Sequence, residues 1–159
     1  MNHIFVSHWS KEAPVAILLK EWIENIFRDT HVFVSSSGQD IDYGEQWEDG
    51  MLQALKKASI SIILVSKNSY DRKWIHIETG FSLARDVKLF IVRIDNFAPE
   101  LMGRPYDNYQ SITIASKDFV KTFLEVVSDT LGQELKNNIG YEYMGLEIGE
   151  IVKEVLRDE

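Results

Sequence analysis

The most constraining stretch of this chain is Ile60–Val65, Ile-Ser-Ile-Ile-Leu-Val, a run of aliphatic residues broken by one hydroxyl. A run without polar/apolar alternation suits a strand covered on both faces, which is the situation of a parallel sheet between helices. His3-Ile4-Phe5-Val6-Ser7 reads the same way, and Val32-Phe33-Val34, residues 89–94 and residues 111–114 supply three more strands. Helical spacing fills the gaps between them. Val15, Leu18, Leu19, Trp22, Ile23, Ile26 and Phe27 recur on one face, with Pro14 early, where a missing N–H costs least. Trp47, Met51, Leu52 and Leu55 mark a helix over residues 45–58, and Trp74, Ile77, Phe81 and Ala84 mark the next. Val120, Phe123, Leu124 and Val127 line a helix over residues 117–131.

Five strands separated by helices predict an α/β fold, a flavodoxin-like three-layer sandwich with helices on both faces of a five-stranded parallel sheet. Right-handed crossovers leave 2-1-3-4-5 as the expected strand order. Residues 1–131 form that domain. Residues 132–159 read as a helical extension, packed on it or trailing it, with Leu146, Ile148, Ile151, Val152, Val155 and Leu156 as its apolar side. The sequence reads as free of internal repeats and low-complexity tracts.

Composition narrows the function classes. With 159 residues, 45% hydrophobic and 26% charged, the chain has the make-up of an ordinary globular domain. No apolar run approaches the roughly 20 residues of a membrane helix, and residues 1–7 lack the basic and apolar regions of a signal peptide. There is no cysteine, which excludes disulfides, thiolate nucleophiles and Cys-based zinc sites and fits a cytoplasmic location. A net charge of −8 argues against binding to nucleic acid or to an anionic membrane surface. A small phosphate-bearing ligand needs only local donors and stays compatible with it.

In a sheet of this order, ligands bind beyond the carboxyl ends of the strands at the switch between strands 1 and 3. Ser7-His8-Trp9, the polar loop 35–44 and residues 66–78 converge there. No dinucleotide-binding or P-loop glycine pattern is present. His76-x-Glu78 lacks the P-C-x-x-C of a zinc deaminase, the four histidines have no metal-ligand spacing, and Asp40-x-Asp42 lacks the glycine and distal glutamate of a calcium loop. One helix is unusual. Trp74 and Glu78 stand four apart near its start, and Glu78 has Ile75, Ile77, Gly80 and Phe81 for company. Spacing alone leaves two readings, a functional acid with a raised pKa or a surface glutamate favoured by the helix dipole.

These residues together resemble a TIR (Toll/interleukin-1 receptor homology) domain of the bacterial immune type. Ile4-Phe5-Val6-Ser7-His8 is similar to the first TIR box. Tyr43-Gly44-Glu45-Gln46-Trp47 with Leu52-Gln53-Ala54-Leu55 is similar to the run leaving the BB loop. Ile62-Ile63-Leu64-Val65-Ser66, Ser69-Tyr70 and Trp74-x-x-x-Glu78 resemble the third strand and the stretch after it. The likeness spans about residues 1–131. Trp9 and Ser10 depart from it, standing where many members carry a charged residue.

The resemblance implies cleavage of NAD⁺ at the nicotinamide–ribose bond, with Glu78 as the required carboxyl and NAD⁺ as substrate without a further cofactor. It implies Ser7, His8, Trp9, Asp42, Gly44, Trp47, Ser66 and Trp74 as substrate-binding residues. It also implies self-association in which the BB loop, residues 40–44, helps close a neighbour's site, a possible sensor partner, and a role in immunity against phage. The product, linear or cyclic ADP-ribose, is left open. So is the choice between substrate wall and core filler for Trp47 and Trp74, and between ligand contact and local backbone capping for Ser7 and Ser66. Two rival functions are carried alongside: a non-catalytic TIR adaptor acting by self-association, and a nucleoside deoxyribosyltransferase-like enzyme, for which a second acid is not evident.

Overall fold

The structure, a computed structural model, describes residues 1–35 and 49–159. Its elements run β1 (Asn2–Ser7), a 3₁₀ turn (Ser10–Glu12), α1 (Ala13–Ile26), β2 (Thr30–Val34), α2 (Asp49–Lys57), β3 (Ile60–Val65) and α3 (Lys73–Ala84). They continue through β4 (Lys88–Arg93), α4 (Pro99–Met102), β5 (Ser111–Thr113), α5 (Phe119–Leu131) and α6 (Tyr141–Arg157). The five strands are parallel in the order β2-β1-β3-β4-β5, the arrangement expected from the sequence. The four-residue α4 is too short for a periodicity to announce it.

Successive strand residues point to opposite faces, and each face has its own core. Ile4, Val6, Ile60, Ile62, Leu64, Phe90 and Val92 pack with α1 and α5 on one side. Ile63, Val65, Leu89 and Ile91 pack with Ile75 of α3, and Phe5 packs with Met51 and Leu55 of α2, on the other. The left-handed Gly132, φ 65°, ends α5, a conformation that glycine adopts without a Cβ penalty. Helix α6 then joins the first core through Ile148 and Val155, and the Trp22 indole N–H donates to Glu147 at 3.1 Å. The C-terminal segment therefore packs on the domain. No helix among the described residues is long and apolar enough to cross a membrane.

The β1–β2 register sets His3 opposite His31 and Phe5 opposite Phe33. The two phenyl rings stack with centroids 5.6 Å apart. Contrary to the expectation of no internal repeat, His3-Ile4-Phe5-Val6-Ser7 and His31-Val32-Phe33-Val34-Ser35 are near-copies, laid side by side in register. The Ser35 N–H donates to the Val6 carbonyl at 2.9 Å and extends the ladder by one residue. Ser7 and Ser35 thus reach the carboxyl end of the sheet as neighbours on the α2/α3 face.

Candidate active site around Glu78

Helix α3 turns an unexpected stripe inward. Its buried residues are Ile75, Glu78, Thr79 and Ser82, a helical i, i+3, i+4, i+7 face that is mostly polar. The face expected from hydrophobicity sits elsewhere: Ile77 is 42% exposed, Ala84 is exposed, and Trp74 and Phe81 are half-buried. The sheet explains the rotation, because it presents hydroxyls beneath the helix. The Ser82 hydroxyl donates to the Glu78 carbonyl at 2.9 Å and accepts from the Ser61 hydroxyl at 2.8 Å. Buried polar groups are tolerated where they find such partners.

Glu78 is 0% exposed. The Ser35 hydroxyl donates to its Oε1. The Ser7 hydroxyl faces the same carboxyl but falls outside hydrogen-bonding geometry, and Oε2 of Glu78 has no hydrogen-bond partner among the described residues. Burial pushes the Glu78 carboxyl up to about 7, with the Ser35 and Ser7 hydroxyls opposing the rise. Of the two readings that spacing allowed, the buried acid is the one observed, and the surface glutamate is not.

The remaining candidates fall into two groups. His8 is buried beside Ser7, and its Nδ1 lies 2.7 Å from the Trp9 carbonyl. That carbonyl requires Nδ1 to carry the proton. Burial lowers the His8 pKa, leaving a neutral ring whose Nε2 is an acceptor. Trp74 is half-buried against Phe5, Met51 and Leu55, so it contributes to packing between α2 and α3. Ser66 belongs to a separate cluster, where its hydroxyl donates to Glu12 Oε2 at 2.6 Å and lies 3.1 Å from Ser69 Oγ. Asp42, Gly44, Trp47 and the loop 40–44 lie outside the described residues.

Two participants escaped the sequence reading. Ser35 reads from its polar neighbours as the start of a loop, whereas the repeated pentapeptide sets it beside Ser7. Glu12 is a second fully buried acid at the same end of the sheet, and burial together with the facing Glu159 carboxyl holds its pKa well above the usual range. No spacing signals it, since Ser10-Lys11-Glu12 looks like a solvated turn.

A doubly wound α/β domain with a buried acid above the ends of β1 and β2 defines the class. The TIR domain family matches residues 4–127, and the chain belongs to that family. Among solved structures, the TIR domains of the activated Roq1 resistosome directly recognizing the pathogen effector XopQ are similar at 13% identity and a TM-score of 0.47, over 99% of each chain. No curated protein matches in sequence.

Proposed function

We propose that this TIR domain cleaves NAD⁺ at the nicotinamide–ribose bond, as a glycohydrolase or an ADP-ribosyl cyclase, with Glu78 as its catalytic carboxyl. The observation that carries the reading is a fully buried glutamate, gripped at one oxygen by Ser35, at the carboxyl end of the sheet. The C–N bond breaks with its electron pair on the pyridine nitrogen, so nicotinamide departs neutral and needs no general acid, unlike an ordinary glycoside leaving group. Positive charge develops on the ribose. A carboxylate fixed in a dry site stabilises that charge with little reorganisation. Glu78 then accepts the proton of the attacking water, or of a ligand hydroxyl in the cyclase variant, as the new bond to the anomeric carbon forms.

Ser35 orients the carboxylate and Ser7 faces it, and His8, Trp9 and Trp74 border the ribose and nicotinamide, with Asp42, Gly44 and Trp47 contributed from the segment between β2 and α2. Ser66 acts indirectly, bracing the turn before α3. In this reading the domain is a cytoplasmic effector or signal generator in defence against phage, activated by self-association. A purely associative adaptor has no chemical need for a buried acid. A deoxyribosyltransferase-like mechanism is less favoured because Glu12, the second acid, is engaged with Ser66 and shares no hydrogen bond with Glu78.

The test is incubation with NAD⁺ over a range of protein concentrations, with chromatography for nicotinamide and ADP-ribose species. Wild type should release nicotinamide, with specific activity rising with concentration as an oligomeric active form requires. Glu78→Gln should stay folded and release none. Most of the activity surviving in a folded Glu78→Gln variant, or none in wild type at any concentration, would overturn the assignment.

A further inference from the structure

Just outside the Glu78 cluster two cations converge on one indole. The Arg72 guanidinium carbon lies 3.7 Å from the centre of the Trp9 ring, and Lys11 Nζ lies 5.3 Å from it. Arg72 Nε donates to the Asn68 carbonyl at 3.0 Å, which fixes the plane of the group. Among the described residues no carboxylate pairs with either cation. In a chain of net charge −8, two exposed cations against one indole, with no ion-pair partner among the described residues, are a local reversal of sign.

The cluster is also braced from below. Trp9 and Lys11 belong to the turn after β1, and Arg72 to the turn after β3. Buried Glu12 ties the first turn to the second through Ser66, whose N–H in turn donates to Ser69 Oγ at 2.8 Å. The two turns carrying the cations are therefore held in register before any ligand arrives, which limits the ordering cost of binding.

Position relates the cluster to the carboxyl. Trp9 lies two residues past Ser7, about 7 Å of extended chain. Arg72 lies six residues ahead of Glu78, about 9 Å back along the axis of α3. Both paths lead outward from the carboxyl end of the sheet.

We propose that Arg72 and Lys11, seated on the Trp9 indole, form an anion-binding rim that takes the pyrophosphate of a dinucleotide whose ribose lies at Glu78. This rests on the reading of Glu78 given above. The planar guanidinium, fixed through Nε, offers its remaining N–H groups to phosphate oxygens, and Lys11 adds a compact charge.

Arg72→Gln and Lys11→Gln are exposed substitutions that leave the cores untouched. Calorimetric titration with ADP-ribose should show affinity falling about tenfold in each variant, and the salt dependence weakening with it. With NAD⁺ and nicotinamide riboside as alternative substrates, the ratio of kcat/KM for NAD⁺ to that for the phosphate-free riboside should fall by a similar factor. ADP-ribose affinity equal in wild type and both variants, or no ADP-ribose binding to wild type, would overturn the rim. The two readings separate cleanly: ADP-ribose binding that follows Arg72 and Lys11 without any nicotinamide release supports the rim and removes the catalytic assignment. Nicotinamide release with an unchanged substrate ratio does the reverse.

Discussion

Glu78 combines two properties that a surface carboxylate does not, complete burial and a hydroxyl partner on the edge of a neighbouring strand. With a folded-state pKa of about 7 against an ordinary 4.5, the native protein binds the Glu78 proton more tightly than the unfolded chain does. The stabilisation is therefore complete below about pH 4.5 and is lost as pH rises through 7, an effect of roughly 3 kcal/mol. Glu78→Gln removes this dependence, because an amide does not titrate. Melting of the variant relative to wild type should improve between pH 5 and pH 7 and level off above it, and a constant difference from pH 5 to pH 8 would count against burial of the charge. The spacing from Trp74 drew attention to Glu78, yet the burial that gives it chemistry depends on Ser7 and Ser35. Those serines meet it only because β1 and β2 align in register, a long-range fact that a local reading of Ser35 as loop could not contain.

At the scale of elements, strands were more legible than helix faces. The doubly covered strands show in the sequence as aliphatic runs, and five of them with intervening helices leave few topologies. The orientation of α3 was not legible, because hydrophobic periodicity assumes that the buried face is apolar. Here the sheet offers Ser61 and Ser7 beneath the helix, and the helix answers with Ser82 and Glu78 while Ile77 faces outward. Ser82→Ala should thus cost about 1–3 kcal/mol by leaving the Ser61 hydroxyl without its partner, whereas Ile77→Lys should change stability by no more than about 0.5 kcal/mol. Urea unfolding measures both. A larger loss at Ile77 than at Ser82 would restore the apolar-face picture and contradict the observed rotation.

Over the whole molecule, the sheet order gathers the candidate site at one end, where the loops after β1 and β3 and the end of β2 meet. The fold class was legible from the succession of apolar strands and helices and from the topology they allow. Membership of the TIR family was legible from motifs spread over three separate segments. Glu12 was not, because a turn glutamate among Ser10 and Lys11 has no local mark of burial and acquires it only when Ser66 and Ser69 of the turn after β3 and the distant Glu159 meet it. The proposed cleavage rests on one property, a buried carboxyl poised between its two forms near neutrality. The pH dependence of kcat/KM for nicotinamide release tests it most directly. Activity should rise with pH through an inflection near 7 as Glu78 ionises in the free enzyme, and the inflection should move to higher pH in Ser35→Ala, which loses the hydroxyl that favours the carboxylate. A profile flat from pH 6 to pH 8, or an inflection indifferent to Ser35, would contradict it.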